Sequence, residues 1–148
     1  MKDVNAIRET VVRWASEHYR IIQNTGSSLS DEGLALARRV RVLEPERIRV
    51  LLVDEIPIHN DPLVAGLAKS AGMLDGTIEG MTFGHSIYIV RGRESARLYS
   101  HEFRHVYQYE TYGSIPAFMD EYLPQVLTLG YGKAPLELDA QAFEIERV

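Results

Sequence analysis

His101-Glu102-Phe103-Arg104-His105 sets two histidines four residues apart in a segment, about Glu94 to Tyr112, that patterns as one helix closed by Gly113. Side chains at i and i+4 lie one above the other on a helix face. The two imidazoles can therefore meet on a single ion without rearranging a loop. Glu102 projects about a quarter-turn away, toward a water beside the ion rather than toward the ion itself. HExxH on a helix is the spacing that binds zinc through both histidines and uses the glutamate as general base. The rest of the chain must then supply a scaffold, a substrate rim and a third ligand.

The chain has 148 residues, enough for one domain with its own core, and the reading is a single domain over 1–148. It contains no cysteine, which removes disulfides, thiolate ligands and thiol nucleophiles together. Any metal must be held by nitrogen and oxygen. A net charge of −5 leaves no basic surplus to neutralise phosphates, so nucleic acid is not an expected partner. No signal-peptide pattern and no apolar run near 20 residues is seen. The expectation is a cytoplasmic protein with no membrane contact.

Val4, Ile7, Val11, Trp14, Ala15, His18 and Ile22 recur at helical spacing behind Asp3 as N-cap, and this helix ends before Gly26. Ser30 caps a second helix reaching about Val42, before Glu44-Pro45. Residues 48–53 read as a strand whose Leu51-Leu52-Val53 end is covered on both faces. Asp61-Pro62 opens a short helix to about Ala71, with Gly72 behind it. Asp75-Gly76 carries a hairpin signal, Gly80 and Gly84 bracket a turning segment, and Gly84–Val90 reads as a strand. Residues 114–129 look helical with a break or kink at Pro124. Pro135 opens a last helix running toward Arg147.

A catalytic zinc site has three protein ligands and one open position. The positions that would continue HExxH into a third nearby histidine hold Gln108 and Thr111, so the third ligand is expected to be a later carboxylate. The candidates are Asp120, Glu121, Glu137, Asp139, Glu144 and Glu146. Glu137 is favoured because it sits in the first turn of the last helix, after a glycine-containing loop that lets the helix turn back. Asp139 is assigned as acceptor for a ligand histidine's second nitrogen.

His101 to Tyr109 followed by Pro135-Leu136-Glu137-Leu138-Asp139-Ala140 resembles the gluzincins, the glutamate-ligated HExxH zinc peptidases, and most of all the small bacterial minigluzincin-like domains. The resemblance spans residues 84 to 145. At the position four after Glu137, where many gluzincins carry Asp, stands Gln141. The resemblance implies an α+β, zincin-like fold: N-terminal helices, a small mixed sheet with Gly84–Val90 as edge strand, the HExxH helix and a helical C-terminal part. It implies Zn2+ on His101, His105 and Glu137, Glu102 as base, and a peptide or protein substrate cut by an endopeptidase. His85, Tyr131 and Tyr112 are the candidates to steady the developing oxyanion. The alternative is a latent or degenerate domain that holds zinc as a binding or regulatory module, or within a toxin or tail assembly.

The remaining marked residues read as structure. His18 is a packing residue on the first helix, His59 a loop residue, and Arg38, Arg39 and Arg41 a solvated helix face. Tyr99, Tyr107, Tyr109 and Tyr112 pack the HExxH helix against its neighbours.

Overall fold

The computed structural model describes residues 4–146, and the Asp3 cap and Arg147 lie outside them. The architecture is α+β, with six α-helices and a three-stranded mixed sheet among the described residues. α1 (Val4–Thr25) and α2 (Asp31–Arg39) lead into β1 (Arg49–Val53). α3 (Pro62–Ser70) precedes the hairpin of β2 (Gly80–Phe83) and β3 (Ser86–Val90). α4 (Ala96–Tyr112), α5 (Ile115–Leu129) and α6 (Pro135–Ala142) complete the chain. No helix among the described residues is long and apolar enough to cross a membrane.

β3 lies in the middle, parallel to β1 and antiparallel to β2. Strand alternation sorts its side chains to two faces. Ile87 and Ile89 pack with Leu98, Phe103 and Val106 of α4, while Tyr88 joins Trp14 of α1 and Phe118 of α5. The same division runs along β1, with Val50 and Leu52 on one face and Leu51 and Val53 on the other. His18 is buried here, its Nδ1 2.6 Å from the Tyr88 hydroxyl, and burial pulls its pKa down.

Several expectations are corrected. The edge strand beside the HExxH helix is β2, because β3 finds a partner on both sides. The hairpin turn falls at Gly84-His85, where Gly84 has a φ of +63° and a Cβ would press on the Tyr19 ring at 3.3 Å. Asp75-Gly76 joins no strands. Its apolar flanks Met73, Leu74 and Ile78 pack onto the apolar core instead of pairing. α2 stops at Arg39 because Arg41 turns left-handed at a φ of +79°, letting the Val42 N–H reach back to Ala37 O.

α5 runs unbroken through Pro124. The carbonyl that loses its partner belongs to Asp120, an exposed residue open to solvent. α6 ends at Ala142, after which Phe143 stacks on the Arg104 guanidinium and the Ile145 N–H donates to Ser100 Oγ.

Candidate metal centre

α4 is set at both ends by local chemistry. Ser95 Oγ accepts from the Leu98 N–H, and Gly113 closes the helix at a φ of +94°. Between these caps the 3.6-residue period stacks the rings of His101 and His105, whose centroids are 4.9 Å apart. α6 faces them and brings Glu137 to both. Glu137 Oε1 lies 3.1 Å from His101 Nε2, and Oε2 lies 3.1 Å from His105 Nε2.

The far nitrogens are also engaged. His101 Nδ1 meets Glu144 Oε2 at 2.8 Å, and His105 Nδ1 meets Gln108 Oε1 at 2.8 Å. Both acceptors favour a proton on Nδ1, and Nε2 is the nitrogen that each ring presents to Glu137. Gln108 is itself held, donating to Leu136 O and to Asp139 Oδ2, each at 2.9 Å. Asp139 therefore reaches His105 through Gln108 rather than directly as expected, and its main partner is Arg104 at 2.8 Å. The carboxylate that meets the Nδ1 of a histidine of the pair is Glu144, which the sequence alone leaves among the alternative ligands. Tyr122, unmarked by any motif, donates to Glu137 Oε2 at 2.8 Å.

Without a metal, charge is balanced by protons. Burial lowers the pKa of both histidines, but Glu137 and Glu102 outweigh it, and His105 is raised to about 9. Burial works against the Glu137 charge in turn, and the two imidazoles overcome it, holding Glu137 well below the usual carboxylate range. Burial and then the charge of Glu137 push Tyr122 and Tyr131 upward, so both phenols stay protonated donors.

His101, His105 and Glu137 each offer a ligand atom within 4.8 Å of the others, a set that could hold a metal ion. With zinc–ligand bonds of about 2.0–2.1 Å in tetrahedral geometry, neighbouring donors stand roughly 3.3–3.4 Å apart. The separations from Glu137 Oε1 to the two Nε2 atoms are 3.1 and 3.3 Å. One acidic oxygen and two imidazole nitrogens are ligand types that zinc accepts, and the raised pKa values of both histidines mark a place that favours positive charge.

Glu102 is buried beside this set. Its Oε1 accepts from the Thr82 hydroxyl at 2.8 Å, and Gly80 leaves room for the carboxylate, because a Cβ there would stand 3.2 Å from Oε2. Glu102, His105, Glu137 and Tyr131 line one cavity. His85 does not line it: its Nε2 pairs with Glu110 Oε2 at 2.9 Å near the hairpin turn. Tyr112 is 38 % exposed and packs edge-on to Phe118, also away from the cavity. Asp120 pairs with Arg8, while Glu121 and Glu146 are exposed.

Glu44, His85 and Glu110 form a second group close enough to share an ion. There the Glu110 carboxylate already accepts the N–H groups of Leu43 and Glu44 besides facing His85, and Glu44 is exposed and paired with Arg47. That group is satisfied as it stands. Comparison of the chain with protein-family models, with curated proteins and with solved structures found no match in any of the three.

Proposed function

We propose that the chain is a zinc-dependent metallopeptidase of gluzincin kind, an endopeptidase with Glu102 as general base. The observation that carries this reading is the convergence of His101 Nε2, His105 Nε2 and Glu137 on one point, with each of the three held from behind by a separate partner. Such support fixes ligand geometry before a metal arrives.

His101 and His105 would hold the ion through Nε2 and Glu137 through its carboxylate, whose Oε2 also accepts from the Tyr122 hydroxyl. A bound zinc supplies Lewis acidity toward a carbonyl and makes water acidic near neutral pH. Glu102 Oε1 is committed to Thr82, which leaves Oε2 to take the proton of the attacking water and return it to the leaving amine. The Tyr131 phenol is the remaining candidate to steady the oxyanion, since it lines the cavity and keeps its proton. β2 is an edge strand, and a peptide laid along it as a further strand would run beside Glu102.

One alternative has an observation in its favour. Glu102 is only 4 % exposed and tied to Thr82, as a domain that keeps its metal but turns over little would also arrange it. Glu102→Gln separates the two. A peptidase loses about 10²–10⁴-fold in peptide hydrolysis while plasma mass spectrometry still finds one zinc per chain. A binding module is indifferent to the change. Glu137→Gln should strip the zinc, and a wild-type chain that takes up none after reconstitution would end both readings.

A further inference from the structure

The sheet has two edges. β2 forms the one beside Glu102 and β1 forms the other. Arg49 and Val53 turn their main-chain groups to β3, since the Arg49 N–H donates to His85 O and Val53 O accepts from the Arg91 N–H. Alternation along the ladder therefore points the N–H and C=O of Val50 and Leu52 outward. Ser27 bridges to Val50 and takes both of its groups, at 2.8 and 2.9 Å. Two residues on, no described residue takes those of Leu52. Sheet edges are ordinarily paired, covered or charged, because an open one templates a further strand.

Leu52 also lines a groove between the first turns of α2 and α4, with a space of about 760 Å³. The groove shares no lining residue with the cavity at the metal centre. Leu29, Leu36, Tyr99 and Phe103 make it apolar at depth. Its rim is acidic. Glu32 and Glu94 line it exposed, while Arg91, the one basic side chain among the described lining residues, faces Asp54 at 3.3 Å.

We propose that this groove binds an extended basic peptide segment, which adds to β1 as a further strand with a large apolar side chain opposite Leu52. The backbone of Leu52 selects the form of the partner, because an extended main chain offers a carbonyl and an N–H at the spacing of that pair. A residue directly opposite Leu52 points its side chain to the same face of the sheet. That face is the groove, where Leu36 and Phe103 are buried beneath an incoming leucine. Ser27 already fills the register at Val50, so only the residues nearest Leu52 pair. Those flanking them meet the acidic rim, where Lys or Arg is favoured. No residue of the groove belongs to the metal centre, so the docking stands whether or not the chain is a peptidase.

Fluorescein-labelled, end-blocked peptides with the cores Lys-Val-Leu-Val-Lys, Glu-Val-Leu-Val-Glu and Lys-Val-Ala-Val-Lys would be titrated by anisotropy. The protein is the 148-residue chain carrying Glu102→Gln, so that any peptidase activity spares the probes. The first core should bind about tenfold or more tighter than either of the others. Methylating the main-chain nitrogen of its leucine should cost about fivefold or more, with the protein itself unchanged. Glu32→Lys, at an exposed position, should weaken the first core about threefold or more and tighten the second. Affinities should be the same with zinc and with chelator.

Equal binding of the Lys and Glu cores, or no loss on methylation, overturns the proposal, as does failure of every probe to bind. Binding that requires zinc overturns it too, because the peptide then sits at the metal centre. A chain that sediments as a dimer and takes the probe only as the dimer parts does the same, since the edge then serves a second copy.

Discussion

The two nitrogens of His101 act differently: Nε2 faces Glu137 at 3.1 Å while Nδ1 meets Glu144 at 2.8 Å. A carboxylate behind a ligand histidine fixes the ring and makes Nε2 more basic. Glu144→Gln keeps the shape and removes the charge, so zinc affinity should fall about 10–100-fold in competition with a chromophoric chelator. An unchanged affinity would reduce Glu144 to a surface contact. Protonation supplies a second test at this scale. In the metal-free chain His105 titrates at about 9, against about 6.5 when unfolded. Its raised value stabilises the fold fully below about 6.5, and that contribution is lost as pH rises through about 9. Glu137 is depressed, so its share is present above about 4.5 and lost as pH falls. Denaturant midpoints measured with chelator present should therefore decline as pH rises from about 6.5 toward 9, while the lowered His18 works against stability below about 6.5. Glu137→Gln should flatten that decline.

Among the elements, β2 is short yet sets the position of the proposed base. Thr82 clamps Glu102 Oε1, and Tyr109 in turn donates to Thr82 O at 3.2 Å. At Gly80 an added Cβ would meet Glu102 Cγ at 3.1 Å and its carboxylate at 3.2 Å. Glu102 is held by Thr82 and cannot simply swing away. Gly80→Ala should therefore cut peptide hydrolysis by about tenfold or more, since small displacements of a base are costly. The strand itself tolerates alanine at least as well as glycine, so the unfolding free energy should move by less than about 1 kcal/mol. Equal losses of activity and stability would instead mean that the strand, rather than the base, had been displaced.

Across the whole molecule Arg104 joins the layers. Its guanidinium donates to Asp139 of α6 and to Val40 O beyond α2, and it lies between the rings of Tyr107 and Phe143 at 4.0 and 3.5 Å. One buried side chain of α4 thus ties down the helix that carries Glu137 and the tail that carries Glu144. Arg104→Met keeps much of the bulk but leaves Asp139 and the Val40 carbonyl without this donor. The expected cost is about 2–3 kcal/mol in urea unfolding. Zinc affinity should fall with it, since Asp139 also holds Gln108 and through it His105. Loss of stability without loss of zinc affinity would separate the scaffold from the site.

What is legible in one dimension is what is encoded within a few turns of chain. The i, i+4 histidines, the Gly113 close of α4, the Asp61-Pro62 start of α3 and the strand near Leu51, half-buried on both faces, all follow from backbone period, capping and composition. The absence of cysteine confines any metal to nitrogen and oxygen ligands before a fold is known. Pairing is not encoded at that range: β3 carries the strand signal, yet which edge it occupies depends on β2, whose four residues include Gly80 and no strong pattern. The same holds at the centre. Six carboxylates are open in sequence as partners of the two rings, and the choice is made by contacts 32 to 43 residues apart in the chain. Those contacts turn Glu137 to the Nε2 atoms and Glu144 to Nδ1, and bring up Tyr122, which no spacing announces. Local periodicity determines which side chains share a face; only the packing of one face against another decides which groups meet.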